Sequence, residues 1–205
     1  MLAGDDSEGR VTYFEYAAIF IGIIVGLSLA NILASVHKLM EAGPRVRWDW
    51  LAPAMAANAI VLTLGFFWHQ WLLMQTAPHV TRYFIYVLVR AIAFFLLYLA
   101  CAATLPDDVP ERGLDLQAYY VANRIRVWGL FCATFVLALS TWAVGFAEEP
   151  SIERLQANAA FILMSAVGLL LGIVSLTVRA LWWHRIAVIA LAILFLAVFG
   201  PMVLP

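Results

Sequence analysis

Charge is scarce in this chain: 12% of its 205 residues are Asp, Glu, Lys or Arg, and Lys38 is the one lysine. Soluble domains hold about 25% charged and about 45–50% apolar residues, so a chain that is 65% hydrophobic has more apolar surface than a water-soluble core buries. Hydrocarbon is the solvent for most of its side chains. The formal net charge of −1 removes the positive field that nucleic-acid binding draws on, and no nucleic-acid partner is expected. The two cysteines, Cys101 and Cys132, fall in the halves of their spans assigned below to the cytoplasm, where thiols stay reduced, and are read as packing residues.

Missing residues exclude further classes. A retinal Schiff base needs a lysine inside a span, and Lys38 stands at the end of one. A voltage sensor needs a ladder of arginines, whereas Arg90 alone lies inside an apolar run. The chain has no phosphate-cradling Gly-x-x-x-x-Gly-Lys, no His-Glu-x-x-His, no potassium-filter sequence and no Gly-x-Ser-x-Gly elbow. No catalytic constellation, metal-ligand set or cofactor motif is legible, so an enzyme is not the favoured expectation.

Hydrophobic length, in contrast, is abundant. Six runs, over about 13–37, 50–76, 81–105, 125–147, 154–178 and 185–204, each reach the length that crosses about 30 Å of hydrocarbon at about 1.5 Å per residue. Nothing alternates with the period of two that a barrel strand needs, so the expected fold is all-α, a polytopic bundle of six helices in one domain. The polar head before the first run carries acids where a signal peptide has bases, so the first span is expected to be retained. Lys38, Arg45, Arg47, Arg112, Arg124, Arg126, Arg179 and Arg185 fall on one side of the spans, and Arg10, Arg82 and Arg154 on the other. The richer side is expected in the cytoplasm with both termini outside, and the Trp48/Trp50 and Tyr119/Tyr120 pairs anchor its interface.

The connection from Pro106 onward holds Asp107, Asp108, Glu111 and Asp115. Its spacing matches no calcium loop, so it reads as a solvated turn with Asp115 as an N-cap. Each half of the chain has a Gly-x-x-x-Gly, but in different spans, so no repeat relates the halves.

At 100° per residue, Glu15, Ala18, Gly22 and Gly26 share one face of span one, and Ser28, Asn31 and Ser35 another. Asn158, Ser165, Gly168, Gly172 and Ser175 share a sector of span five. Small residues mark where helices approach in lipid, so Gly22/Gly26 and Gly168/Gly172 are expected at helix contacts, within one chain or between protomers. Arg90 carries the most information, because a deep arginine costs at least about 2.5 kcal/mol and must face the bundle interior. Span three runs inward and puts it close to mid-membrane, with Glu15 near the outer boundary and His69 about two turns above the middle. Arg90, His69, Tyr86, Glu15 and Gln70 are therefore expected to line an outward-facing polar pocket, with Asn58 and Asn31 as a second, uncharged set able to bond across helices.

The opening Phe14-Glu15-Tyr16, Gly26-Leu27 followed by Asn31, the Trp68/Trp71 pair, Leu105-Pro106, and Tyr119-Tyr120 with Asn123-Arg124 run through most of the chain. In these it resembles a family of uncharacterised bacterial integral membrane proteins of roughly 200 residues. The resemblance implies six helices and a bacterial inner membrane, and no activity. Three readings stay open. The first is transport, permeation or sensing of a small polar solute at the Arg90 pocket. The second is a non-catalytic subunit, as a homo-oligomer or beside another membrane protein. The third is a redox or lipid-modifying enzyme, for which His37, His184, His69 and His79 would have to pair as haem ligands.

Overall fold

The structure is a computed structural model that describes residues 13–76, 84–148 and 151–203. Six α-helices account for nearly all of them: α1 Tyr13–Ala42, α2 Leu51–Thr76, α3 Phe84–Thr104, α4 Leu116–Glu148, α5 Ile152–Thr177 and α6 Leu181–Val203. All six are long and apolar enough to cross a membrane, and the protein is a multi-pass membrane protein. The two strands, β1 Val46–Arg47 and β2 Leu114–Asp115, are too short to leave an alternating pattern in sequence, and pair in parallel.

Three helices outrun the apolar stretches that announced them. The fourth span was expected from about 125, but α4 begins at Leu116; α1 continues to Ala42, and α6 begins at Leu181. Charged residues end a hydrophobic run without ending a helix, whose backbone bonds continue into the interface. Asp115 Oδ1 accepts from the backbone N–H of Gln117 and Ala118, at 2.9 and 3.0 Å, and fixes the new start of α4 as its N-cap. With 33 residues, α4 is about 50 Å long and overshoots the hydrocarbon by several turns.

One end of the bundle is pinned by polar contacts. Lys38 Nζ donates to the Asp107 carbonyl (2.7 Å) and to Asp108 Oδ1 (2.9 Å), while Arg47 pairs with Asp115 across the strands at 3.4 Å. Gly113, at φ +88°, passes so near the Arg45 carbonyl that an added Cβ would stand 2.9 Å from that oxygen. Asp49 accepts from the N–H of Leu51 at the start of α2 and meets Arg185 of α6 at 3.5 Å. The first, third and fifth connections thus gather at one end, which makes consecutive helices antiparallel and collects the eight cations named above. We call it the basic end and its opposite the terminal end. The acidic connection is dispersed rather than convergent: Asp108 serves Lys38 and Asp115 serves the helix cap and Arg47.

α2 is the hub, packed against α1, α3, α4 and α6. Small side chains permit this: Ala52, Ala56 and Ala59 are buried, and the Phe199 ring of α6 occupies the place where a Cβ on Gly65 would stand. Asn58 Nδ2 donates to the Val188 carbonyl at 2.9 Å and fixes the register of the same helix pair.

The two glycine pairs separate. A Cβ on Gly168 would meet the Phe135 ring and one on Gly172 the Cys132 sulfur, so this pair lies in the α4–α5 seam. At Gly22 and Gly26 an added Cβ meets nothing within 4 Å among the described residues, so the expectation of a close helix contact there is corrected for this chain. α1 turns inward its Ile21, Ile24, Val25, Ser28, Ile32, Ser35 and Leu39 stripe instead. Glycine permits close approach without requiring it, and a branched aliphatic stripe packs as well.

Substituting Gly172→Ala should destabilise the bundle by about 1–3 kcal/mol through the clash with Cys132. Gly26→Ala should be neutral or gain up to about 1 kcal/mol from helix propensity. Thermal unfolding of both variants in one detergent checks this; equal shifts would remove the distinction between the two faces.

Candidate functional site

Three helices place a polar residue one turn above an aromatic ring, all with the polar residue toward the terminal end. On α2 His69 lies above Phe66, on α3 Arg90 above Phe94, and on α5 Asn158 above Phe161. The rings form one tier: Phe66 meets Phe94 edge-on at 5.9 Å between centroids and Phe161 at 5.3 Å. Phe66, Phe94 and Phe161 are all buried, so the tier is a floor that closes the polar cluster from the basic end.

Above the floor, His69 is 7% exposed, stacks flat on Phe161 with centroids 3.8 Å apart, and hydrogen-bonds to Asn158. The Arg90 guanidinium lies near enough to act on this imidazole electrostatically. His69 and Arg90, expected at different depths, thus occupy one level about two turns inside the terminal end of α3. The axial offset of α2 against α3, which no single span reveals, accounts for the difference. His69 Nδ1 and Gln70 Oε1 are buried and have no hydrogen-bond partner among the described residues. Gln70 turns away from the cluster into a narrow cleft between α1 and α2, lined by Ala18, Ile21, Phe67 and Trp71.

The remaining expected pocket residues are distributed differently. Asn58 is engaged with α6, as described, and Asn31 is half-buried on α1. Glu15 and Tyr86 belong to α1 and α3, but their side chains lie outside the described residues, as does His79. Asn158 is the member that sequence reasoning missed. It had been placed on the small-residue sector of span five, and only the meeting of α5 with α2 shows that this sector ends at His69.

A second polar group lies near the basic end. Trp128 Nε1 donates to Tyr120 Oη at 2.9 Å; Tyr120 Oη lies 3.2 Å from His184 Nδ1; and His184 Nε2 lies 3.0 Å from the Val178 carbonyl. Direction follows from chemistry. A carbonyl only accepts, so Nε2 carries a proton, and in the neutral imidazole Nδ1 accepts from the tyrosine hydroxyl, which itself accepts from the indole. The chain joins α4, α6 and the end of α5, and all three side chains are at most 2% exposed. Both His184 nitrogens are engaged, which leaves none for the haem ligation considered above; His37 is exposed on α1. Among the described residues no three His, Cys, Asp or Glu side chains gather as a metal site. Cys132 fills the α4–α5 seam and Cys101 lies 3.6 Å from Thr63 Oγ1, both as free thiols.

No family model, curated protein or solved structure matches this chain.

Tyr120→Phe should leave both the Trp128 N–H and His184 Nδ1 without partners and cost about 1–3 kcal/mol per abandoned group. Thermal unfolding of the variant checks it: a clear fall in the midpoint is expected, and an unchanged midpoint would contradict the chain.

Proposed function

We propose that the protein binds a small anionic solute at the Arg90, His69 and Asn158 tier, in the service of sensing or transport. The observation that carries the reading is a cationic polar tier with a closed aromatic floor. A guanidinium inside a bundle is expensive and marks a solute or ion path more often than a packing position. The floor favours a site entered from the terminal end over an open pore. His69 Nδ1, buried beside the cation and without a partner among the described residues, is a group that a bound solute or water would satisfy. On this reading the chain belongs to a bacterial inner membrane, as the resemblance implies, and the crowding of cations at the basic end orients that end toward the cytoplasm with both termini outside.

The test is thermal unfolding of the full chain in lipid nanodiscs with chloride, formate, acetate or inorganic phosphate added singly. A ligand at about 100 times its Kd stabilises by about 2.7 kcal/mol, a shift of several degrees at this chain length. At least one anion should shift the wild type, Arg90→Leu should lose the shift, and Arg90→Lys should keep part of it. A shift retained in Arg90→Leu, or none with any anion in the wild type, counts against the site.

A second reading, a homo-oligomeric assembly, is favoured by the open small-residue face of α1. Ala18 and Gly22 are half-buried there, Gly26 is exposed, and Ile19, Ile23 and Leu27 flank them on the surface. Native mass spectrometry from nanodiscs separates the readings: an oligomer that Gly26→Leu dissolves without lowering the unfolding midpoint supports assembly, and a monomer throughout removes it.

A further inference from the structure

The apolar run of α4 begins at Val127 and that of α6 at Ile186, so Arg124, Arg126 and Arg185 stand within a turn of the hydrocarbon boundary. Two of them have their Nε atoms sealed from solvent. Arg124 is half-buried, its Nε is sealed from solvent, and among the described residues its guanidinium makes no hydrogen bond or ion pair. Arg185 has Nε in the same condition, but its side chain is 43% exposed and pairs at 3.5 Å with Asp49, whose other carboxylate oxygen is engaged by the Leu51 N–H.

The Tyr120 to His184 contact brings α4 and α6 together at this level, and Arg124 lies near enough to both rings to act on them electrostatically. Those rings are neutral and occupied by each other, by Trp128 and by the Val178 carbonyl, so they offer the guanidinium no counter-charge. A partly desolvated guanidinium with no carboxylate takes its anion from outside the chain, and its planar fork of donors matches the oxygens of a phosphate. The neighbouring surface is aliphatic: Ile125, Ile186 and Ile189 are exposed on the hydrocarbon side, and Trp182 is exposed at the headgroup level.

We propose that Arg124 and Arg185 hold an anionic phosphate group at the basic end, with a phospholipid headgroup as the source that the aliphatic surface favours. The site is separate from the Arg90 tier and stands or falls independently of it. Arg124 is the principal donor to the phosphate oxygens, with Arg185, next in sequence to the His184 ring that Arg124 faces, as the second, and acyl chains run along Ile125 and along Ile186 and Ile189.

The experiment titrates the full chain in detergent micelles with phosphatidylglycerol, with phosphatidylcholine of the same acyl chains, or with sodium phosphate, read by native mass spectrometry and by the unfolding midpoint. Phosphatidylglycerol should bind more tightly than phosphatidylcholine by about fivefold for each guanidinium engaged. Arg124→Gln should lower that preference about fivefold, Arg124→Lys should keep part of what is lost, and Arg126→Gln, at an exposed neighbour, should leave it intact. Arg124-dependent protection by sodium phosphate equal to that by phosphatidylglycerol supports the phosphate site and assigns it to the soluble anion. A preference unchanged in Arg124→Gln, or lowered as much by Arg126→Gln, overturns the site in favour of diffuse surface attraction. Should Arg124→Gln fail to fold, Arg124→Lys and Arg185→Gln decide the same question.

Discussion

Inside hydrocarbon a hydrogen-bonding group finds its partner in the protein or goes without, and this constraint organises both ends of the bundle. Ser28, Thr63 and Thr134 meet it locally, each donating to the carbonyl four residues earlier in its own helix. Asn58 meets it across helices, at the Val188 carbonyl. Trp128, Tyr120 and His184 meet it together, in a chain whose polarity is dictated at one end by an indole that only donates and at the other by a carbonyl that only accepts. The value of such a chain lies in specificity, since a rotation or shift of α4 or α6 would break more than one of its bonds at once.

The basic end carries a second layer of specification, made of ion pairs that are individually weak. Lys38 with Asp108 and Arg47 with Asp115 are largely exposed, and exposed pairs are worth about 0–1 kcal/mol each. They tie connections whose ends are already fixed by helix caps at Asp49 and Asp115, so little further entropy is lost in forming them. The same region holds Arg124, half-buried and without an ion pair among the described residues, and Arg185, whose contact with Asp49 is long. The contrast between neighbours is chemical: Lys38 and Arg47 find carboxylates across a connection, whereas Arg124 faces two neutral rings.

Six helices, their antiparallel order and the basic end were legible because each rests on a sum over many residues: hydrophobic length, charge distribution and the Asp115 cap. Which faces meet was only partly legible. The Gly168/Gly172 face does lie in a seam, while Gly22/Gly26 does not within this chain, and nothing in the spacing distinguishes them. The difference lies in what stands opposite: Phe135 and Cys132 project toward the first pair, and that information belongs to another helix. Arg90 stood out because a charge inside an apolar run is conspicuous by itself. Asn158 did not, because its importance comes from His69, a residue roughly ninety positions away in sequence, and the pairing depends on how α2 threads between its neighbours.

The aromatic tier divides the molecule mechanically as well as chemically. Below it, large buried side chains such as Trp128, Phe131, Phe135 and Phe195 fill the space between helices, so displacement of any one helix disturbs many contacts. Above it, among the described residues, His69 Nδ1 and Gln70 Oε1 lack partners at a cost of about 1–3 kcal/mol for each buried group left unsatisfied. Water admitted to those atoms would recover part of that cost, as it would at Ser165 Oγ and at the Nε atoms of Arg124 and Arg185 below the tier.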